Sequence, residues 1–445
     1  MISQNKLGTF ENAILLKYLM LLIIMNHLST AQRILTESMS HAKSLGVIHG
    51  HFTDHHLNGQ TVKVFGKDLH HFANCSYLGL ELDPRIKEAA KDAIDRYGVQ
   101  FSCSKTYLSS HLYQVLEDKL SQIFNKPVIV PPTTSLGHIS WIPNVVHKND
   151  AVIMDQQVHR SVQNATMIAK ANGSTVEIVR HNRMDLLEGK IIELSKNHEK
   201  IWYMADGVYS MFGDVAPVQE LYDLMDKYEQ FNIYVDDAHG MSWAGENGQG
   251  YFLSQATHFH DKLCLITSLC KGFGTNGAVM VFANEAQKSM IKYVGSTLIF
   301  SGPIPPASLA AGIASADIHL SEEINLRQEA LHGKMQFFVD KSNGLNLPLV
   351  RQDLSPICFI GTGPNPNHSI DIAHDLQKDG FFVNASSFPI VPMKNGGLRI
   401  TLNVNCEQEI IDNLLVSIKN RMDERSISTE EVMKAFSYKT LSEVL

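Results

Sequence analysis

Short apolar runs alternate with longer helix-like stretches between about residues 125 and 300. Runs of this length, separated by helical segments, are typical of buried parallel strands joined by crossover helices. The alternation predicts an α/β fold with a mostly parallel central sheet flanked by helices. The predicted strands cover residues 128–130, 151–154, 201–205, 233–235, 263–267 and 278–282.

The pattern changes on both sides of this region. Beyond about residue 320, helix-like stretches at 322–339 and 370–378 and strand candidates at 357–361 and 398–402 predict a smaller α+β domain. Near the start, Asn58-Gly59 lies between β-rich runs and predicts a hairpin in an N-terminal arm. The predicted division is an N-terminal helix and arm (1–95), a large domain that holds the central sheet (96–325) and a small C-terminal domain (326–445).

Charge and ligand spacing exclude several function classes. Lys and Arg total 38 against 46 Asp and Glu, which argues against a nucleic-acid partner because phosphate binding needs clustered positive charge. The six cysteines form no CxxC pair and the 21 histidines form no HExxH motif, so we predict no metal site. Scattered cysteines of this kind are typical of reduced thiols in a cytoplasmic protein.

An apolar run occupies residues 13–25, interrupted by Lys17 and Tyr18. It is too short to span a bilayer, which takes about 20 apolar residues. One interpretation is a secretory signal, with Ser29-Thr30-Ala31 as a weak cleavage site. The interpretation that we prefer is a helix that packs against a partner or makes peripheral contact with a membrane surface.

Polar residues follow four of the predicted strands. They are Asp155, Asp206-Gly207, the segment 236–239 and the segment 268–271. Ligands of open α/β sheets bind beyond the carboxyl ends of the strands. Any one of these acids alone fits a helix cap equally well, but four together favour a common site.

The last two of these segments carry a specific chemistry. Lys271 is flanked by small residues, and its amine can form an imine with an aldehyde. An acid at the end of a buried strand, such as Asp236, can keep a pyridine nitrogen protonated. Ser268 and Thr267, three and four positions before Lys271, are candidate phosphate donors. This set of residues is typical of a site for pyridoxal 5′-phosphate (PLP).

The chain resembles the α-oxoamine synthases, the PLP-dependent acyl-CoA:amino acid C-acyltransferases that include 8-amino-7-oxononanoate synthase, 2-amino-3-ketobutyrate CoA ligase and serine palmitoyltransferase. The resemblance implies PLP-dependent transferase fold type I. The motifs that carry it occur in the family's order at residues 72–80, 97–98, 206–217, 235–250, 268–277, 300–306 and 398–402.

The resemblance assigns four residues to the ring of the cofactor. Lys271 matches the Schiff-base lysine, which also serves as acid and base, and Asp236 matches the partner of the pyridinium nitrogen. His239 matches the donor to the ring's phenolate oxygen. His159 matches the histidine that stacks on the ring, although a surface helix histidine is the alternative.

The resemblance assigns the remaining site residues as follows. Thr134 and Ser135 occupy the loop whose backbone amides hold the phosphate, and Ser268 lies in the lysine motif. Ser210 matches a serine that contacts the cofactor, and Ser301 matches one that reaches the phosphate of a neighbouring subunit in a homodimer. Arg399 matches the arginine that binds the amino-acid carboxylate, for which its planar fork is suited. A structural salt bridge is the alternative for this arginine.

The implied activity is condensation of an acyl-CoA with an amino acid, which gives an α-aminoketone and releases CoA and usually CO2. The sequence departs from the family's usual pattern at Cys75-Ser76, Thr134 and Gln249, and these departures leave the identity of the amino substrate open. In these departures the chain resembles the autoinducer synthases, the branch of the family that makes long-chain ketone signals. Two alternatives stay open. One is another fold-type I activity, an aminotransferase or lyase, and the other is a silent partner subunit, against which the presence of Lys271 argues.

Overall fold

The computed structural model describes residues 30–388 and 390–436. The apolar run at 13–25 therefore lies outside the described residues. Within them, no helix has both the length and the apolar character that crossing a bilayer requires. Elements are numbered in chain order. The N-terminal arm contains α1 (Thr30–Ser44), β1 (Thr61–Val64), β2 (Lys67–His71), a 3-10 turn (Leu80–Leu82) and α2 (Pro84–Tyr97).

The predicted hairpin of the arm is present, but its turn lies elsewhere. β1 and β2 pair antiparallel around Phe65-Gly66, whose φ values are 51° and 78°. Two consecutive positive φ angles are what a two-residue type I′ turn requires. Asn58 instead accepts hydrogen bonds from the N–H groups of Gln60 and Thr61 ahead of β1. Asn58-Gly59 lies in the longer loop that joins Phe52 to Val64, which form an isolated antiparallel bridge. The predicted position is therefore a loop between antiparallel segments, but it is not the turn of the β1–β2 hairpin.

A seven-stranded sheet forms the centre of the molecule, with the strand order β3-β9-β8-β7-β6-β4-β5. β4 to β8 are parallel, so the predicted mostly parallel sheet is confirmed. The strands are β3 (Val128–Ile129), β4 (Ala151–Asp155), β5 (Thr175–Val179), β6 (Ile201–Asp206), β7 (Phe231–Asp236), β8 (Leu263–Ser268) and β9 (Ala278–Val281).

Two details of this sheet differ from the prediction. β9 runs antiparallel to β8 because the nine-residue connection 269–277 is shorter than the dozen or more residues that a parallel crossover needs. β5 was not predicted. It is the edge strand and is mostly only half-buried, so its sequence lacks the continuous apolar run of a strand that is covered on both faces.

Helices cover both faces of the central sheet, and an apolar core fills each side. Val235 and Leu265 belong to the core on one face, whereas Tyr234 and Ile266 belong to the core on the other. The helices are α3 (His111–Phe124), α4 (Thr134–Val145), α5 (Arg160–Ala171), α6 (Met184–Leu194), α7 (Val218–Lys227), α8 (Tyr251–Gln255), α9 (Glu285–Val294), α10 (Ser296–Ile299) and α11 (Pro306–His319).

The C-terminal part has its own antiparallel sheet, in the order β10-β13-β12, whereas β11 pairs with β2 of the arm. The predicted division at residues 95 and 325 stays a prediction, and both of its boundaries fall within helices. The elements are α12 (Glu323–Gly344), β10 (Ile357–Gly363), α13 (Pro366–Lys378), β11 (Phe381–Phe382), β12 (Asn384–Ser386), β13 (Gly396–Thr401), α14 (Gln408–Asp423) and α15 (Thr429–Phe436).

A buried ionic cluster fastens the loop after β5 to the sheet. His181 Nδ1 lies 2.8 Å from Asp155 Oδ1, and its Nε2 bonds to Asp214. Burial alone would lower the pKa of His181, but the two carboxylates raise it to about 9. Asp155 also accepts a hydrogen bond from Tyr203 at 2.9 Å, so this acid at the end of β4 has a structural role.

This cluster predicts a pH-dependent stability. The folded-state pKa of His181 lies above its unfolded value of about 6.5, so its stabilisation is complete below pH 6.5 and is lost as the pH rises through 9. We expect the wild-type advantage over His181→Gln in unfolding free energy to be about 3 kcal/mol larger at pH 6 than at pH 10. Urea denaturation across this range measures the difference, and an advantage that does not change with pH would contradict the assignment.

Candidate active site

The parallel strands β6, β7 and β8 end at one edge of the sheet, where their terminal residues meet. Asp206 and Asp236 are direct cross-strand partners at this edge. A cavity of about 260 Å³ opens beside them. It brings together five of the residues that the resemblance assigned to the cofactor site, along with Asp206, one of the strand-end acids that were predicted to share a site. The lining residues are Thr134, His159, Asp206, Val208, Asp236, Ala238, His239 and Lys271.

Lys271 also lines a second, more open cleft that contains Cys75, Ser76 and Cys270. Lys271 thus lies between the closed cavity and a cleft through which a large substrate could approach. Burial lowers the pKa of Lys271, and this effect outweighs the opposing influence of Cys75 and Asp236. A lowered pKa makes the neutral, nucleophilic amine more accessible near neutral pH.

Asp236 is buried at the end of β7 and has a donor for each oxygen. Its Oδ1 accepts the N–H of Ala238 at 3.1 Å, and its Oδ2 lies 3.0 Å from His138 Nε2. Burial by itself would raise the pKa of this carboxyl, but His138, Lys271 and His159 outweigh burial and lower it. The site thus holds an ionised carboxylate at its base.

The neighbouring carboxyl groups behave in the opposite way. Burial and the charge of Asp236 raise the pKa of Asp206 well above its ordinary value. Burial raises the pKa of Asp237 to about 8. A Cβ on either Gly207 or Gly240 would lie 2.1 Å from Asp237 Oδ1, so glycine at these positions makes room for the carboxyl. One negative charge is therefore concentrated on Asp236.

His239 lines the cavity three residues after Asp236, and a hydrogen bond on its buried side fixes the imidazole. Its Nδ1 lies 2.7 Å from the Tyr77 hydroxyl, inside the protein. Burial lowers the pKa of His239 well below 6.5, and the nearby Lys271 and Arg399 add to this. A neutral imidazole that accepts the Tyr77 proton at Nδ1 carries its own hydrogen on Nε2, which makes Nε2 a donor.

The start of α4 provides backbone donors at the other end of the site. The Thr133 hydroxyl caps this helix by accepting the N–H of Leu136 at 3.1 Å. Thr134 and Ser135 follow at the first two helical positions, where N–H groups have no partner within the helix. A helix N-terminus of this kind favours a phosphate group.

The two hydroxyl residues before Lys271 differ in their availability. Ser268 accepts the N–H of Cys270 at 3.1 Å, and among the described residues no hydrogen bond is found that its hydroxyl donates. Thr267 is fully buried and donates to the Asp237 carbonyl at 2.8 Å. The expectation that both residues serve the phosphate therefore holds at most for Ser268, because the Thr267 proton is already used.

Arg399 lies at the end of the site that is formed by β13. Its Nε donates to the Ser210 carbonyl at 2.6 Å, and its Nη2 lies 3.8 Å from Cys75 Sγ. Although it is buried, no carboxylate pairs with it in the described part of the chain. The alternative of a structural salt bridge therefore finds no partner here, and the guanidinium remains available to an anion.

Three other predicted residues are placed differently. His159 is the N-cap of α5, is exposed and lines the cavity, and its backbone N–H donates to Asp206 at 3.0 Å. Ser210 contributes its backbone carbonyl, which accepts a hydrogen bond from Arg399. Ser301 donates to the Thr297 carbonyl at 2.5 Å and does not line the cavity, so its role toward a neighbouring subunit stays a prediction.

Sequence reasoning missed two residues that hold the site together, Tyr77 and His138. Tyr77 lies within the motif 72–80, but only its bond to His239 shows what its hydroxyl does. His138 follows Thr134 by four residues, which places both on one face of α4. That spacing was the available signal, but it could not show that the face lies over Asp236.

The arrangement fits PLP. An ionised carboxylate, an imidazole donor, a lysine amine and the free N–H groups of a helix surround one cavity, as the ring nitrogen, phenolate oxygen, aldehyde and phosphate of this cofactor require. The donors come from different elements of the sheet edge, so the fit depends on the fold.

Comparisons with known proteins agree with this chemistry. The family model described as Aminotransferase class I and II matches residues 69–418. A serine palmitoyltransferase from Sphingobacterium spiritivorum is 32% identical, over 77% of this chain and 83% of the relative. An 8-amino-7-oxononanoate synthase from Saccharophagus degradans is 30% identical, over 83% of this chain and 91% of the relative.

Solved structures show the same fold. A serine palmitoyltransferase from S. paucimobilis with bound PLP superposes with a TM-score of 0.81 at 20% identity, covering 89% of this chain and 98% of that chain. The predicted fold type I and the predicted cofactor are thereby confirmed. The chain belongs to the α-oxoamine synthases, the PLP-dependent enzymes of acyltransferase type within the class I and II aminotransferase family.

Proposed function

We propose that this enzyme condenses an acyl-CoA with an amino acid and releases CoA and an α-aminoketone. The observation that carries the proposal is the position of Lys271, which lines both the closed cavity and the open cleft. When bound, PLP supplies an electron-withdrawing ring that stabilises negative charge at the carbon next to the amino group. The cleft gives the thioester a separate approach to that carbon.

Each side chain has a defined task in this proposal. Lys271 removes the proton from the amino-acid α-carbon and later returns it, for which a lowered pKa is suited. Asp236 stays ionised and pairs with the ring nitrogen. His239 donates from Nε2 to the phenolate oxygen, and Arg399 binds the substrate carboxylate. His159 lies on the ring face, and the N–H groups of Thr134 and Ser135, with the Ser268 hydroxyl, bind the phosphate.

The identity of the product depends on the substrate end of the site. Cys75 Sγ lies against Arg399, so a small thiol borders the place that we assign to the substrate carboxylate. We propose a long-chain α-aminoketone, of the kind that leads to a ketone signal molecule, as the product, with CO2 lost after condensation.

We further propose that the enzyme is a cytoplasmic homodimer. Large apolar side chains are exposed in the segments 98–110 and 293–302, and Tyr107 and Phe300 are 88% and 85% exposed. Contiguous exposed apolar residues mark interaction sites, and a second copy would cover them. Peripheral membrane contact through residues 13–25 stays a prediction.

A panel of amino acids and acyl-CoAs tests the proposed reaction by detecting free thiol. We expect thiol release that requires both substrates, because the amino acid must lose its α-proton before it can attack the thioester. Transfer of the amino group to a keto acid, with no thiol released, would show an aminotransferase instead. The absence of any turnover, together with failure to take up PLP, would indicate a silent subunit.

A further inference from the structure

We infer that His138 is a positioning residue for the reaction and holds Asp236 against the ring nitrogen of the cofactor. The inference builds on the proposed role of Asp236 and adds a residue that lies outside the cavity itself. His138 is fully buried and does not line the cavity. Its effect on the reaction must therefore pass through the carboxylate.

Both nitrogens of the His138 imidazole are occupied. Nε2 lies 3.0 Å from Asp236 Oδ2, and Nδ1 lies 2.9 Å from the Tyr234 hydroxyl. Tyr234 and Asp236 are two residues apart on β7, so their side chains extend from the same face of the strand. The imidazole thus bridges two groups of one strand and has a single fixed orientation.

The partners also determine the hydrogen positions. An ionised carboxylate can only accept, so Nε2 must carry a hydrogen and donate it to Asp236. In the neutral ring, Nδ1 then accepts the hydroxyl hydrogen of Tyr234. With Ala238 N–H on Oδ1 at 3.1 Å and His138 on Oδ2, the carboxylate has one donor on each oxygen and still has lone pairs for the ring nitrogen.

The position of His138 on α4 adds a second consequence. Thr134 and Ser135, at the start of α4, present the N–H groups that we assign to the phosphate, and His138 follows one helical turn later. A single rigid helix would therefore fix both ends of the cofactor, the phosphate directly and the ring nitrogen through Asp236. This arrangement sets the distance between the two ends without a loop in between.

Several charged groups surround Asp236, and His138 is distinguished among them by its direct hydrogen bond. Without this donor, the carboxylate would keep the cost of burial and lose a bond that favours its ionised form. Its pKa would then rise. The other titratable groups that act on Asp236 are Lys271, His159, Asp206, Asp237 and Tyr234.

The test compares His138→Phe, which keeps a ring of similar size, with His138→Gln, whose amide can restore a donor near the Nε2 position. For His138→Phe we expect the dissociation constant of PLP from the cofactor-free protein to rise about 10- to 100-fold at pH 6, and less at pH 8.5. The acidic limb of the kcat/KM profile should move to higher pH. His138→Gln should recover most of both properties.

His319→Gln is the matched control. His319 is also buried and bonded at both nitrogens, but its partners are the Ser315 carbonyl and the Ser242 hydroxyl, neither of which lines the cavity. His319→Gln should lower Tm without changing the pH dependence of PLP binding or of kcat/KM. If His138→Phe likewise changes only Tm, the inference is wrong, and if His138→Gln behaves like His138→Phe, the donor is not what matters. A normal Asp236→Asn enzyme would instead overturn the proposed role of Asp236.

Discussion

Replacing Lys271 with alanine is expected to abolish thiol release and the visible absorbance of lysine-bound PLP together. The side chain combines the covalent attachment of the cofactor with proton transfer at the substrate carbon. Loss of general acid–base catalysis alone costs about 10²- to 10⁴-fold, and the missing covalent bond adds to that loss. Absorbance spectra of the reconstituted protein and thiol assays with the best substrate pair measure the two effects.

Lys262→Ala is the control for this experiment. Lys262 precedes β8 at the end of the strand opposite to Ser268, and its ammonium donates to the carbonyls of Met225 and Tyr228. Its replacement should leave the visible absorbance in place. A Lys271→Ala protein that still turns over at the wild-type rate would contradict the assignment of the nucleophilic lysine.

Asp236→Asn is expected to cause the second-largest loss. The substitution keeps the shape of the side chain and removes the buried negative charge that keeps the ring nitrogen protonated. Removal of one preorganised electrostatic partner costs about 10²- to 10³-fold in kcat. Steady-state kinetics should show this fall in kcat, while PLP still attaches to Lys271.

The adjacent carboxyl offers a sharp comparison. Burial raises the pKa of Asp237 to about 8, so this group is already mostly neutral at pH 7. Asp237→Asn therefore changes little charge and should reduce kcat far less than Asp236→Asn does. Equal losses from the two variants would show that packing at this turn matters, and the charge on residue 236 does not.

The central sheet shows how far sequence patterns predict a fold. All six predicted strands are present, because continuous burial on both faces requires continuous apolar runs. β5 was not predicted because this edge strand is mostly only half-buried and therefore has no such requirement. The direction of β9 depends on the length of its connection to β8, and the turn of the arm hairpin depends on positive φ angles at Phe65-Gly66. Phenylalanine rarely adopts a positive φ angle, so its presence at position 65 does not predict this turn.

The site shows a similar division. Lys271, Asp236 and His239 were predicted from two short motifs, and the structure places all three around one cavity. Their roles follow from the chemistry of each side chain and from resemblance. The fact that Thr267 is bonded to a backbone carbonyl depends on a residue 30 positions away in the chain, so no local pattern could exclude it.

By itself, the sequence determined the α/β class, the order of the strands along the chain and the residue types of the cofactor site, because these properties depend on local composition and spacing. Only the tertiary structure decided which carboxyl keeps its charge. Asp206, Asp236 and Asp237 are all aspartates at or directly after the ends of predicted strands, and all three are buried. Asp236 alone of the three receives the hydrogen bond of His138, from a residue 98 positions away in the chain. Together with the charges of His138, Lys271 and His159, that bond outweighs the cost of desolvation.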